Sequence, residues 1–356
     1  MGGDLAVGVV GVGNIGTVHL QSLRAMDGVA VPAVADPVRT NRQRARSLGV
    51  ARSYEDAEAM VRGEALDAVV VAVPPSLHVE VGLHAIDRGC HVFVEKPFAT
   101  TPDAARELAS AAERAGVAVG VDHTLRYLPE VVRLRAEYET GRIGHVPLAV
   151  ASRVNNGPFE PPPVSRPVSG WQLDPDHTGG GALMDLGVHL FDVLESFFGP
   201  LTVRHAELGR QLDLPYEDTA SVVVRAASGT LATLNCGFFQ WERPPAFNHT
   251  LRLDGVAGTL DTADYAPKHF MRYAAGAALE NVSRRARGRE PDYYGPTYYY
   301  RAHFRALADF VEAVRAGRPP PVGAAEGVRS VELVHEAYAA AERTDRPRAV
   351  TAGEAR

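Results

Sequence analysis

The sequence predicts a two-part α/β protein: a doubly wound parallel sheet first, then an α+β domain built on a mostly antiparallel sheet. Three observations carry the prediction. The chain has 356 residues, which suits two domains of roughly 100–200 residues each. Its first third alternates short valine-rich runs with helical spacing, the pattern of βαβ units. After about residue 122 the pattern changes, and strands become separated by hairpin turns. The expected division is 1–122 and 123–356.

In the first part, Leu5–Val10, Val29–Ala35, Ala68–Val73, Val92–Val94 and Val117–Val121 are largely apolar, as strands buried on both faces should be. Between them, Asn14–Met26, Val38–Leu48, Glu55–Val61, Ser76–Arg88 and Pro102–Ala115 carry helical spacing. Thr101 before Pro102 suits an N-cap followed by a first-turn proline. In the second part, helices are predicted over Pro129–Glu139 and Ala182–Phe198, and a strand over Val146–Val154. Strands follow at Leu201–Leu208, Ala220–Arg225, Thr230–Phe239, Thr250–Leu253 and Thr259–Leu260, with Ala227–Ser228–Gly229 and Asp254–Gly255 as hairpin turns. Five prolines in 158–167 exclude regular structure there. The segment 265–300 reads as irregular, with a basic cluster at Arg284–Arg289 and tyrosines from Tyr293 to Tyr300. Helices over Ala302–Arg315 and Ala325–Arg343 close the chain.

Composition narrows the function. With 46% hydrophobic and 22% charged residues the chain can build real cores, and a net charge of −6 leaves no footprint for nucleic acid. Two cysteines, Cys90 and Cys236, cannot supply a disulfide framework or a cysteine-based zinc site. Met1–Asp4 lacks the basic start of a signal peptide, Ala6 weakens the match to a myristoylation signal, and no apolar run approaches the roughly 18 residues of a membrane span. The expectation is a cytoplasmic protein without a membrane partner. Of 37 basic residues only Lys96 and Lys268 are lysines. A GC-rich coding bias explains the arginines, yet a lysine at a special position matters because arginine cannot release its proton.

Gly11-Val12-Gly13-Asn14-Ile15-Gly16 follows the first strand and opens a helix. The first glycine permits the turn, the second lets a pyrophosphate approach, and the third allows close packing, with Asn14 and Ile15 at the helix N-terminus that receives the charge. Asp36 ends the next strand, where a carboxylate accepts hydrogen bonds from an adenosine ribose and repels a 2′-phosphate. NAD is therefore favoured over NADP, with Arg39 able to soften the preference. Pro74 and Pro75 stiffen the loop after the strand Ala68–Val73, and His78 either touches the cofactor or is an ordinary first-turn histidine. Glu95-Lys96-Pro97 sits at a strand's carboxyl end. A partly desolvated lysine there can exchange protons beside a nicotinamide, and the proline can be cis, although the tripeptide alone also reads as a solvated turn. Asp185 and His189, four apart after Gly179-Gly180-Gly181, share one helix face. They suit proton abstraction, with the aspartate orienting the histidine, and read equally as a helix-stabilising pair. No third ligand points to a metal.

These segments together resemble the Gfo/Idh/MocA dehydrogenases, the family of glucose–fructose oxidoreductases and inositol 2-dehydrogenases. The resemblance spans nearly the whole chain. It rests on the glycine fingerprint, Val73-Pro74-Pro75…His78, Glu95-Lys96-Pro97, Arg126-Tyr127, Trp171 before the triple glycine, Asp185…His189 and the closing Phe310…Gly317-Arg318-Pro319 stretch. It implies a Rossmann domain followed by an open-faced sheet domain, with homo-oligomers, dimer or tetramer, forming through that sheet. It implies that Lys96, Asp185 and His189 form the catalytic group beside the nicotinamide, with Glu95 and Lys96 in the cofactor site. His123, Arg126, Tyr127 and Trp171 are expected to meet substrate. The expected activity is NAD-dependent oxidation of a secondary hydroxyl of a sugar, amino sugar or cyclitol, in a setting such as specialised metabolism. Three alternatives stay open: an NAD(P)H-dependent keto-sugar reductase, glycoside cleavage by oxidation and elimination, and a non-catalytic nucleotide sensor. The 158–167 and 265–300 segments depart from the family pattern.

Overall fold

The computed structural model describes residues 4–159, 170–238, 249–266, 270–288 and 298–345. Residues 160–167 of the proline-rich loop, Lys268, Arg289 and Tyr293 lie outside them. The first sheet is parallel and takes its strands from β1 (Leu5–Val10), β2 (Val29–Ala30), β3 (Ala33–Ala35), β4 (Arg52–Tyr54), β5 (Ala68–Val71), β6 (His91–Val94) and β7 (Val119–Val121). Their order is β4-β3-β1-β5-β6-β7, with β2 pairing the start of β1. The order reverses between β1 and β5, and that crevice at the carboxyl ends is where open α/β sheets take ligands. Two elements differ from expectation. Val29–Ala35 breaks at Val31–Pro32, because proline cannot donate to the ladder. The edge strand β4 is short and polar, so periodicity does not reveal it.

Alternation along each strand fills two cores. Val9, Val34, Val70 and Phe93 face helices α1 (Asn14–Arg24), α2 (Arg39–Ser47) and the late helix α10 (Tyr298–Arg315). Val10, Ala35, Val69, Val71, Val92 and Val94 face α3 (Ala57–Gly63), α4 (His78–Ile86) and α5 (Pro102–Ala115). Such two-sided burial is why these strands read as continuous apolar runs. Thr101 caps α5 as expected, its hydroxyl accepting from the Ala104 amide, and Gly116 ends the helix at φ 67°.

The second sheet uses β8 (Leu148–Val154), β9 (Leu201–Gly209), β10 (Thr219–Ala226), β11 (Leu231–Gly237), β12 (His249–Gly255) and β13 (Gly258–Asp261). Its order is β13-β12-β8-β11-β10-β9; the β8–β11 pair is parallel and the rest are antiparallel. One face packs on α6 (Pro129–Glu139), α8 (Val188–Phe198) and α11 (Ala324–Asp345). Within 265–300, the expected irregular segment contains a helix, α9 (Phe270–Ala286). Its alanines favour helix, but it lacks an apolar stripe, so hydrophobic spacing does not announce it. The short α7 (Pro175–Thr178) precedes the glycine turn. Helix α10 packs against α1, and α11 lies across α5, α8 and β9, so these two helices close over both sheets.

Candidate active site

The glycine turn is built for an anion. A Cβ on Gly11, whose φ is 81°, would collide with the Ala72 carbonyl oxygen, and one on Gly16 would collide with the Gly11 carbonyl oxygen. Only glycine fits either place. A Cβ on Gly13 would meet nothing within 4 Å, so that side of the turn is open. α1 starts there without a side-chain cap or a first-turn acid, leaving its leading amides to receive negative charge. Asp36 holds the turn: its Oδ2 accepts from the Val12 amide at 2.8 Å and from Asn41 at 3.1 Å, and its Oδ1 accepts from the Val38 amide at 2.8 Å. A carboxylate offers about four acceptor positions, so one remains on Oδ1 for a ribose hydroxyl. These residues fit a dinucleotide.

Beneath that turn, two of the residues expected at the cofactor site make buried contacts within the protein. His78 is buried, with Nδ1 2.8 Å from the Pro97 carbonyl and Nε2 2.9 Å from the Val73 carbonyl. The ring bridges the Pro74–Pro75 loop and the Glu95–Pro97 loop, its one N–H donating to one of the two carbonyls when the imidazole is neutral. Burial pushes its pKa down. Glu95 likewise turns inward, its Oε1 2.7 Å from His19 Nε2. Burial favours its neutral form, yet the His19 hydrogen bond and charge hold it well below the usual carboxylate range. The Lys96–Pro97 peptide is cis.

Lys96 leaves the end of β6 in the other direction and reaches the second sheet's layer. Its Nζ donates to the Asp185 carbonyl oxygen at 3.1 Å and forms an ion pair with Asp185 Oδ1. Asp185 therefore pairs with Lys96 and not with His189. The i,i+4 expectation fails because Leu183–Gly187 is a π turn, whose hydrogen bonds run i to i+5 and shift the residues that follow. His189 is buried, and neither ring nitrogen has a hydrogen-bond partner among the described residues. A buried polar group without a partner needs a reason. Burial first, then the positive charges of Arg153 and Lys96, drive its pKa well below the usual histidine value.

The expected substrate contacts divide. His123 is fully buried, 5.8 Å ring to ring from His189 and 3.3 Å from Ser330 Oγ, so it stands behind His189. Arg126 is not a free cation: it grips Asp192 of α8 with Nε–Oδ2 at 2.7 Å and Nη2–Oδ1 at 2.6 Å. Tyr127 packs against all three hydrophobic clusters. Burial, then the nearby Asp309, raises its pKa. It is a junction residue. Trp171 is half-buried in a short turn whose Gln172 carbonyl accepts from Tyr216 at 2.5 Å.

Several functional positions escape sequence reasoning. Buried Arg153 lies on the inward face of β8 and acts electrostatically on His189. Buried Glu217 sits behind the glycine turn: its Oε1 accepts from the Gly181 amide at 3.1 Å, the Leu183 amide at 3.0 Å and Tyr338 Oη at 2.8 Å. It thereby fixes the entry to the π turn that carries Asp185. Ser76 meets His177 at 2.9 Å across the two layers. Only chain folding brings such residues together, since they are isolated polar letters in sequence.

An anion-ready glycine turn, a ribose-ready aspartate and a Lys96–Asp185 pair beside an orphaned histidine define a dinucleotide-dependent oxidoreductase. Residues 5–123 match the oxidoreductase-family model for an NAD-binding Rossmann fold, and residues 131–261 match the GFO/IDH/MocA C-terminal domain. The chain belongs to the Gfo/Idh/MocA oxidoreductase family and uses NAD. It is 27% identical over 361 residues to myo-inositol 2-dehydrogenase of Thermotoga maritima, covering 97% of this chain and 98% of that protein. It is 26% identical over 338 residues to the rhizopine catabolism protein MocA of Rhizobium meliloti, 93% of each chain. The crystal structure of GenD2 from gentamicin A biosynthesis, in complex with NAD, superposes with a TM-score of 0.77 at 25% identity over 97% of this chain and 96% of that one. Levoglucosan dehydrogenase, solved with NADH and levoglucosan, shares the fold at a TM-score of 0.76 and 18% identity, covering 96% and 98%.

Proposed function

We propose that this protein oxidises a secondary hydroxyl of a sugar, amino sugar or cyclitol to a ketone, reversibly, with Lys96, Asp185 and His189 as catalytic residues. The observation that carries the reading is the Lys96–Asp185 ion pair beside a buried, unpartnered His189 at the carboxyl end of β6. NAD, when bound, supplies the hydride acceptor. The protein's own residues handle the proton. His189, held neutral by burial, is suited to accept the hydroxyl proton, and Lys96 donates a hydrogen bond to the same oxygen while Asp185 holds it in place. The two roles can be exchanged, because both side chains suit contact with one oxygen. Relatives named for inositol, apiose and glucoside oxidation support the substrate class.

The outer face of the second sheet, where Ser152 meets Thr250 and Ser221 meets Asn235 in exposed rows, supports a homo-oligomer through that face. Among the described residues no helix is long and apolar enough to cross a membrane.

The test is a panel of sugars, amino sugars and cyclitols with NAD, read by NADH absorbance. With a substrate found, Lys96→Met should reduce turnover by about 10²–10⁴-fold, the usual worth of a positioned acid–base group, while NAD binding persists. Near-normal turnover in that variant removes the catalytic assignment. Product without net NADH would move the reading to oxidation–elimination.

A further inference from the structure

Behind Lys96 lies a second cluster that the proposed reaction does not use. His19 of α1, Glu95 after β6, Asp122 after β7 and His303 of α10 converge from four elements, and all four are buried. We propose that these four side chains form a divalent metal site, best matched by zinc, that pins α10 to the cofactor-binding sheet.

The geometry supports it. One donor atom from each residue lies within 4.8 Å of every other. His19 Nε2 stands 2.7 Å from Glu95 Oε1 and 3.6 Å from Asp122 Oδ2. His303 Nδ1 stands 2.5 Å from Asp122 Oδ2 and 3.8 Å from Glu95 Oε1. Neighbouring ligands in a tetrahedral site with bonds of about 2.0 Å are roughly 3.3 Å apart. Two of these separations are shorter and two longer, so a cation at the centre needs side-chain shifts under about 1 Å. Two imidazoles and two carboxylates are nitrogen and oxygen donors of the kind that hold zinc. Asp122 is fully buried and turns its Oδ2 toward both imidazoles, while its Oδ1 has no hydrogen-bond partner within ordinary geometry among the described residues, so a cation bound through both oxygens would satisfy it.

The arrangement also has a structural use. His303 and Asp122 are 181 residues apart in sequence, and their contact adds a polar tie to the apolar packing of α10 on the parallel sheet. An ion bound only by the folded state adds its binding free energy to stability. Because Glu95 precedes Lys96 directly, the site would also steady the backbone that presents the lysine.

The test uses tag-free protein, stripped with chelator and dialysed. Zinc ion is expected to bind at one equivalent by calorimetry and to raise the melting temperature by about 5 °C or more at a hundredfold excess over Kd. Cobalt ion in its place is expected to give visible absorption of a four-coordinate site. His19→Gln and His303→Gln should lose the binding and the shift while keeping far-ultraviolet dichroism. Should either variant fail to fold, X-ray absorption of zinc bound to the wild type decides, with two imidazoles and only oxygens otherwise expected in its shell. Absence of stoichiometric binding, unchanged affinity in a folded His303→Gln protein, or a different shell overturns the proposal. The four residues are then two hydrogen-bonded histidine–carboxylate pairs. None of these readouts depends on turnover, so they stand or fall apart from the proposed reaction.

Discussion

Arg126 offers a sharp separation between a residue that binds substrate and one that holds the site together. Its guanidinium makes two parallel hydrogen bonds to Asp192, whose side chain is only 1% exposed, while Arg126 itself is 20% exposed. Replacing Arg126 by Met keeps the apolar stem but leaves Asp192 buried without its counter-charge. Removing one partner of a buried pair costs about 3–5 kcal/mol, and the partial exposure of Arg126 places this case near 3. At about 2–4 °C per kcal/mol for domains of this size, Arg126→Met should melt about 6–12 °C lower. The double variant Arg126→Met/Asp192→Leu should recover most of the loss, because replacing both partners with apolar groups is close to neutral. Thermal denaturation of wild type, both singles and the double completes the cycle. Below the melting range, KM should stay within about threefold of wild type, a change worth under about 1 kcal/mol. A normal melting temperature together with a tenfold higher KM would refute the brace and restore Arg126 as a substrate contact.

Other expectations follow from the same geometry. Gly13→Ala should melt normally and lose NAD affinity, since its Cβ enters open space on the anion side, whereas Gly16→Ala, with its Cβ driven into a carbonyl oxygen, should be strongly destabilised; melting and NAD titration distinguish them. Asp36→Ser should weaken NAD binding at least about tenfold and narrow the NAD over NADP preference, and an unchanged ratio of the two affinities would count against the ribose role. His189 is neutral in the folded protein because burial lowers its pKa, so the acid limb of kcat/KM should fall below the ordinary histidine range and vanish in His189→Asn. Buried His78 and His189 also take up protons more readily when unfolded. Stability from them is present above the unfolded pKa of about 6.5 and is lost as pH falls below it, which denaturant titrations at pH 7.5 and 5.5 measure. Tyr338→Phe, by removing the Oη bond to Glu217, should lower turnover more than NAD affinity; equal losses would argue against positioning of the π turn.

Much of the fold was legible because its signals are local. A continuous apolar run such as β5, Ala68–Val71, reads as doubly buried, and Gly11–Gly16 after a strand admits few other uses. Helix α9 is not legible in the sequence, since alanine-rich helices without an apolar stripe leave no periodic trace. The strand β4 leaves no periodic trace for a similar reason, being three residues of mixed polarity.

The sequence by itself determined the cofactor turn, the two sheets and the presence of Lys96, Asp185 and His189 near strand and helix ends, because each depends on neighbours within a few residues. Partnership was decided only by tertiary structure. Lys96 and Asp185 are 89 residues apart, and their pairing depends on how one sheet's layer meets the other. Asp185 pairs with Lys96, Arg126 with Asp192, and Glu95 with His19 in a group that includes Asp122 and His303. A charged side chain's role is set by which counter-charge reaches it and how much water remains. Both are properties of folded space and not of chain order.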